Sequence, residues 1–148
     1  MFQKMMDKSV AKSPWPFHVN AGSCNGCDIE IVAALTPRYD AERLGFRLAG
    51  SPRQADIVVV SGPVTRQTRD RVIRTIAQVP EPRVIVSIGS CPRSGNVFKG
   101  SYAIDGPLEK WVHVDVAVAG CPPKPEAIMA GLAKATEILK EKRKEMRK

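Results

Sequence analysis

The sequence predicts an open α/β fold, with a mainly parallel sheet of four or five strands and helices on both faces. Three observations carry that expectation. Asp56–Ser61 and Val84–Ile88 are near-continuous Val/Ile runs, the pattern of strands buried on both faces rather than one. Between and after them, apolar residues recur at helical spacing instead of alternating. Glycine or proline stops each run at its C-terminal end, as in Gly62-Pro63 and Gly89.

The elements follow in order. Phe17–Val19 is a short strand, Asn20–Gly26 a loop, and Cys27–Leu35 a short helix that ends before Pro37. Phe46–Ala49 reads as a strand, and Asp56–Ser61 as a buried one. Arg66–Gln78 places Val72, Ile73, Ile76 and Ala77 at helical spacing. Val84–Ile88 is the next buried strand and Val114–Ala119 the last. A helix then opens at Pro125 or Glu126 and runs to about Lys142, with Ile128, Leu132, Ala135 and Leu139 on one face. The expected arrangement is flavodoxin-like. In such sheets the loops at the C-terminal strand ends gather at one edge and form the site.

The chain of 148 residues fits one domain, read here as residues 13–142 between a basic extension (1–12) and a basic tail (143–148). The net charge of +8 points to nucleic acid until it is located. Residues 134–148 carry seven Lys or Arg against three Glu, and residues 1–12 carry three Lys against one Asp. The body between them is therefore close to neutral. A reader of nucleic acid places its basic face on the folded body, interleaved with aromatics, so nucleic acid is not an expected partner. Charge at the ends suits solvated tails, a helix C-terminus or anionic headgroups. The longest apolar run, Ile31–Leu35, is far too short to span a bilayer, and no signal peptide is expected.

Placed on this outline, the four cysteines fall at strand ends. Cys24 and Cys27 lie in the loop after the first strand, Cys91 follows Val84–Ile88, and Cys121 follows Val114–Ala119. Each has a glycine one or two positions before it, and Cys91 and Cys121 are followed by proline. Buried free cysteines, disulfides and structural zinc are the competing readings. Four thiols at matching strand ends argue against chance burial, and disulfides need an oxidising compartment. Zinc sites usually use two short clips, whereas one CxxC is present here. A 4Fe–4S cluster accepts four thiolates from separate loops, with Cys-Pro recurring among its ligands. It is the favoured reading, and a zinc-stapled structural domain stays open beside it.

The order Cys24-x2-Cys27, Cys91-Pro92, then Gly120-Cys121-Pro122-Pro123-Lys124-Pro125-Glu126 resembles one family over about residues 15–140. This family joins the small subunit of nickel–iron hydrogenases to the cluster-bearing 20 kDa subunit of complex I. Phe17–Asn20 and Gly22–Glu30 are similar to the first cluster loop of the membrane-bound, energy-converting (group 4) hydrogenases. Thr36–Arg43, Ser51–Asp56 and Ser61–Thr65 resemble segments shared with complex I. Complex I subunits carry adjacent cysteines in the first loop, whereas Asn25-Gly26 separates them here, as in hydrogenases.

The resemblance implies an oxidoreductase subunit that is not catalytic alone. One 4Fe–4S cluster on Cys24, Cys27, Cys91 and Cys121 would relay electrons from a ferredoxin-like upstream subunit. They would pass to the nickel–iron site of a large subunit for proton reduction coupled to ion pumping. Sulfane-sulfur reductases and formate hydrogenlyases share such a subunit. It also implies membrane-embedded partners and a peripheral place on the cytoplasmic side of the cell membrane. Glu30 is expected either as an exposed helix-terminus carboxylate or as a group at the large-subunit contact or in a proton path. Arg38, Arg43 and Arg53 are expected at subunit interfaces. His18 and His113 lack ligand-like spacing and are expected in core or surface roles. Ser61–Thr65 lacks the glycines and Lys-Ser/Thr of a phosphate loop.

Overall fold

The computed structural model describes residues 13–146. Its main sheet has four parallel strands: β1 (Pro16–Asn20), β2 (Ile57–Ser61), β4 (Val84–Ile88) and β6 (Val116–Val118), in the spatial order β1-β2-β4-β6. Helices α1 (Gly26–Leu35), α2 (Arg69–Ala77), α3 (Cys91–Ser94) and α4 (Pro125–Glu145) connect or follow them. A small antiparallel pair, β3 (Val64–Thr65) with β5 (Ile104–Gly106), stands apart from the main sheet.

The pleat explains why β2 and β4 read as unbroken apolar runs. Ile57, Val59, Val84, Val86 and Ile88 face one side, where Ile31 of α1 and Ile128, Leu132, Ala135 and Leu139 of α4 cover them. Val58, Val60 and Ile85 face the other, against Val72 and Ile76 of α2. All ten residues of the two strands are buried, so both sides of each strand must be apolar or hydrogen-bonded. Each Val or Ile buried this way contributes about 1.5–3 kcal/mol relative to exposure. The expected mainly parallel α/β sheet with helices on both faces is the architecture found.

Several boundaries differ from expectation, each for a physical reason. Phe46–Ala49 is not a strand. Phe46 and Ala49 are buried while Arg47 and Leu48 are exposed, a spacing of three that a pleat cannot produce. The segment still runs beside the open edge of β1, where the amide of Ala49 donates to the carbonyl of Pro16 at 2.7 Å. Helix α2 begins at Arg69, not Arg66, because the hydroxyls of Thr65 and Thr68 pair at 2.8 Å and hold a turn there. Ile73, expected on its buried stripe, is 37% exposed.

The last helix is longer than expected. It continues to Glu145, past the anticipated boundary at Lys142. Arg143, assigned to a solvated tail, instead pairs with Asp56 at 2.6 Å, and Lys142 pairs with Asp115 at 2.7 Å. The anticipated basic extension over residues 1–12 lies outside the described residues.

Candidate cluster-binding edge

Because the strands are parallel, their C-terminal ends lie at one edge, and all four cysteines follow such ends. Cys24 sits in the loop after β1 and is exposed, while Cys27, in the first turn of α1, is buried. Cys91 is the first residue of α3, three residues past β4, and is buried. Cys121 lies three residues past β6 and is exposed. The β4 and β6 loops are sewn together, since the amides of Gly89 and Ser90 donate to the carbonyls of Val118 and Gly120 at 2.8 and 2.9 Å.

Two glycines let these loops close on one another. Gly89 has φ +90°, and a Cβ there would stand 2.6 Å from the Cys27 sulfur. Gly62 has φ +79°, and a Cβ there would run into the backbone of Ser23 in the cysteine loop. On the other side of the loop, the Gly26 α-carbon faces the Cys24 sulfur and the ring of Pro122. The three loops therefore approach one another closely at this edge.

Their electrostatics agree. The Cys27 thiol is pushed up to about 11, first by burial and then by the negative charge that Cys91, Cys24, Asp28 and Cys121 would add if ionised. Burial, followed by Cys121 and Cys24, also raises Cys91, against a hydrogen bond from Asn96. Burial and neighbouring charge thus disfavour the thiolate at Cys27 and Cys91, whose protons a metal would displace on binding. Among the described residues, no three His, Cys, Asp or Glu side chains form a ready single-ion site. Four thiols from three separate loops at one sheet edge are a donor set that suits a 4Fe–4S cluster.

The other singled-out residues are placed as follows. Glu30 is half-buried on α1, and its exposed neighbours are Ile29 and Val32. Arg38, Arg43 and Arg53 are exposed on the stretch after α1, and none pairs with a carboxylate among the described residues. Arg38 lies over the ring of Tyr39 at 5.7 Å. His113 is largely exposed, 3.6 Å from Asp115. His18 contacts Ser61 and Asp28 in a polar network beside the cysteine loop. That network, centred on Asn20 and Asp28, is what sequence reasoning missed. Its only local signal is an asparagine ending a strand two residues before glycine, a common Asx turn.

Residues 24–135 match the family described as NADH ubiquinone oxidoreductase, 20 Kd subunit. Over 132 residues the chain is 57% identical to a probable membrane-bound hydrogenase subunit of Pyrococcus furiosus, a match covering 89% of this chain and 79% of the relative. It is 42% identical over 135 residues to formate hydrogenlyase subunit 7 of Escherichia coli, covering 91% of this chain and 53% of that one. Among solved structures, a chain of an archaeal membrane-bound sulfane sulfur reductase superposes with a TM-score of 0.80 at 37% identity, covering 95% of this chain and 77% of that one. A chain of an NAD+-reducing nickel–iron hydrogenase shares the fold, with a TM-score of 0.63 at 19% identity, over 84% of this chain and 92% of that one. The chain belongs to the family of the 20 kDa subunit of NADH–ubiquinone oxidoreductase, and is an oxidoreductase subunit that acts as part of a complex.

Proposed function

We propose that this chain is the electron-transfer subunit of a membrane-bound nickel–iron hydrogenase complex, holding one 4Fe–4S cluster on Cys24, Cys27, Cys91 and Cys121. The observation that supports the reading is that all four cysteines follow C-terminal ends of parallel strands, at one edge of the sheet. When bound, the cluster supplies one-electron transfer. The chain's own part is to hold four thiols in place on loops that backbone bonds and glycines keep close.

Electrons would come from a ferredoxin-like upstream subunit and leave for the nickel–iron site of a large subunit, for proton reduction coupled to ion pumping. The apolar Ile29 and Val32 beside Cys27, with Glu30 between them, give the large subunit a surface to cover. Arg38, Arg43 and Arg53, free of partners among the described residues, suit docking to carboxylates of neighbouring subunits. No described helix is long and apolar enough to cross a membrane. The similarity to subunits of membrane-bound complexes supports a chain held at the cytoplasmic side of the membrane through membrane-embedded subunits. The similarity to the sulfane sulfur reductase chain supports a second reading, the same relay role toward a sulfur substrate.

Anaerobic purification tests the cluster. The chain should be brown with about four irons, and a colourless, zinc-containing protein would overturn the proposal in favour of a stapled structural domain. Purification of the intact complex tests the hydrogenase assignment. A large subunit that carries nickel and evolves hydrogen supports it, and one that instead reduces sulfane sulfur selects the second reading.

A further inference from the structure

Beside the cysteine loop, four polar side chains close into one network. Asn20 is its hub. Its Oδ1 accepts from the amides of Gly22 and Ser23, at 2.9 Å each, and its Nδ2 donates to Asp28 Oδ2 at 2.8 Å. The second Asp28 oxygen accepts from the Ser61 hydroxyl and stands 3.0 Å from Nε2 of His18. That same nitrogen is 2.9 Å from the Ser61 oxygen. Ser61 is fully buried, and the Asp28 side chain is 16% exposed.

A carboxylate met by an amide N–H, a hydroxyl and an imidazole nitrogen is placed as an acceptor, the role of the ionised form. No Lys or Arg pairs with it among the described residues. Asp28 directly follows Cys27 in the first turn of α1, so the network fixes this carboxylate one residue from a cysteine of the edge.

We propose that Asp28 is a fixed negative charge that lowers the reduction potential of the centre held by the four cysteines, with Asn20, Ser61 and His18 as positioning residues. The inference rests on the cluster reading above. The step forms and breaks no bond. An external iron–sulfur donor loses one electron and the held centre gains it, so the centre becomes more negative by one charge. A carboxylate pinned by three side chains cannot swing away from that charge, and burial weakens the screening between them. A lowered potential suits a relay that must hand on strongly reducing electrons.

The test is a potentiometric titration, followed by electron paramagnetic resonance, of the anaerobically purified chain at one fixed pH for every variant. Asp28→Asn should keep its iron and raise the midpoint by about tenfold in the reduction equilibrium, roughly 59 mV for one electron. Asp28→Glu should return the midpoint toward that of the unaltered chain. Asn20→Ala frees one of the three contacts on Asp28 but keeps the charge, and should raise the midpoint by clearly less than Asp28→Asn. An unchanged or lower midpoint in Asp28→Asn at full iron content overturns the proposal, as does an equal rise in Asn20→Ala. If Asp28→Asn holds no iron, Asp28→Ser gives the same reading without setting a second amide NH2 against that of Asn20. Iron that is lost in both uncharged variants and kept in Asp28→Glu also overturns it, because the carboxylate would then serve assembly. An unaltered chain with no cluster refutes the underlying reading instead.

Discussion

The two ends of the sheet are built on opposite plans. At the N-terminal strand ends, charge is paired wherever it is buried. Asp56, just before β2, accepts from Arg143 at 2.6 Å and from the Trp15 amide at 3.1 Å. Asp115, just before β6, accepts from Lys142 at 2.7 Å and from the Ile85 amide at 2.8 Å. Lys142 also donates to the carbonyl of Arg83. The last turns of α4 are thereby clamped across the strand starts. At the C-terminal strand ends lie four cysteines, the thiols of Cys27 and Cys91 raised by burial and by their neighbours, and glycines at positive φ allow loops to touch. One end pairs its buried carboxylates with basic side chains of α4. The other pairs Asp28 with no Lys or Arg among the described residues and carries thiols free to take a metal, which is how a site differs from a scaffold.

Substitutions at each end should separate these roles. The largest effect is expected for Cys27→Ala or Cys91→Ala, which should abolish cluster assembly or leave a three-iron form, while the melting temperature of the metal-free chain moves little. Full iron content and an unchanged paramagnetic spectrum would show that the edge binds through other residues. Gly89→Ala joins the two roles. The new methyl group would meet the Cys27 sulfur from a left-handed backbone position, so about 1–3 kcal/mol of stability should be lost together with most of the iron. Denaturant melts and iron assays on one sample would measure both.

Arg143→Ala should act at the other end only. Removing the guanidinium leaves Asp56 partly buried with one backbone donor. The expected cost is roughly 1–3 kcal/mol, with iron content unchanged. Lost iron would mean that the ends are coupled through the sheet. The smallest expected effect is a pH dependence. Cys27 ionises near 9.0 when unperturbed and near 11 in the folded chain, so the unfolded state releases its proton first as pH rises. Its contribution to stability is complete below about pH 9 and is lost by about pH 11. Chemical denaturation across that window should show the decline in the metal-free chain. A chain whose thiolates are already held by a cluster should not show it.

This contrast also explains what could be read in the sequence. Strands β2 and β4 were legible because burial on both faces leaves no polar position, so Ile57–Val60 and Val84–Val86 read as unbroken runs. The cysteines were legible because parallel strands force their C-terminal ends together, so position relative to a strand stands in for position in space. Phe46–Ala49 misled because its apolar residues suggested a strand while their burial follows a spacing of three. The C-terminal charges misled for a different reason. Arg143 finds its carboxylate 87 residues away, and no local pattern marks a basic residue whose partner is that distant. The Asn20–Asp28–Ser61 network joins residues up to 41 positions apart by hydrogen bonds, and it was invisible on the same ground.

The unequal exposure of the four sulfurs has a consequence for how the protein must be made. Cys24 and Cys121 are exposed, whereas Cys27 and Cys91 are buried. On the proposed cluster reading, iron delivered by a carrier would reach the outer pair first. Oxygen would meet the same order. Attack on sulfur follows accessibility, so in air the empty chain would be damaged first at Cys24 and Cys121. A single sulfenic acid there would disable the set. The window between synthesis and loading would then be the fragile moment in the life of this subunit, and a covering neighbour that arrives early would shorten it.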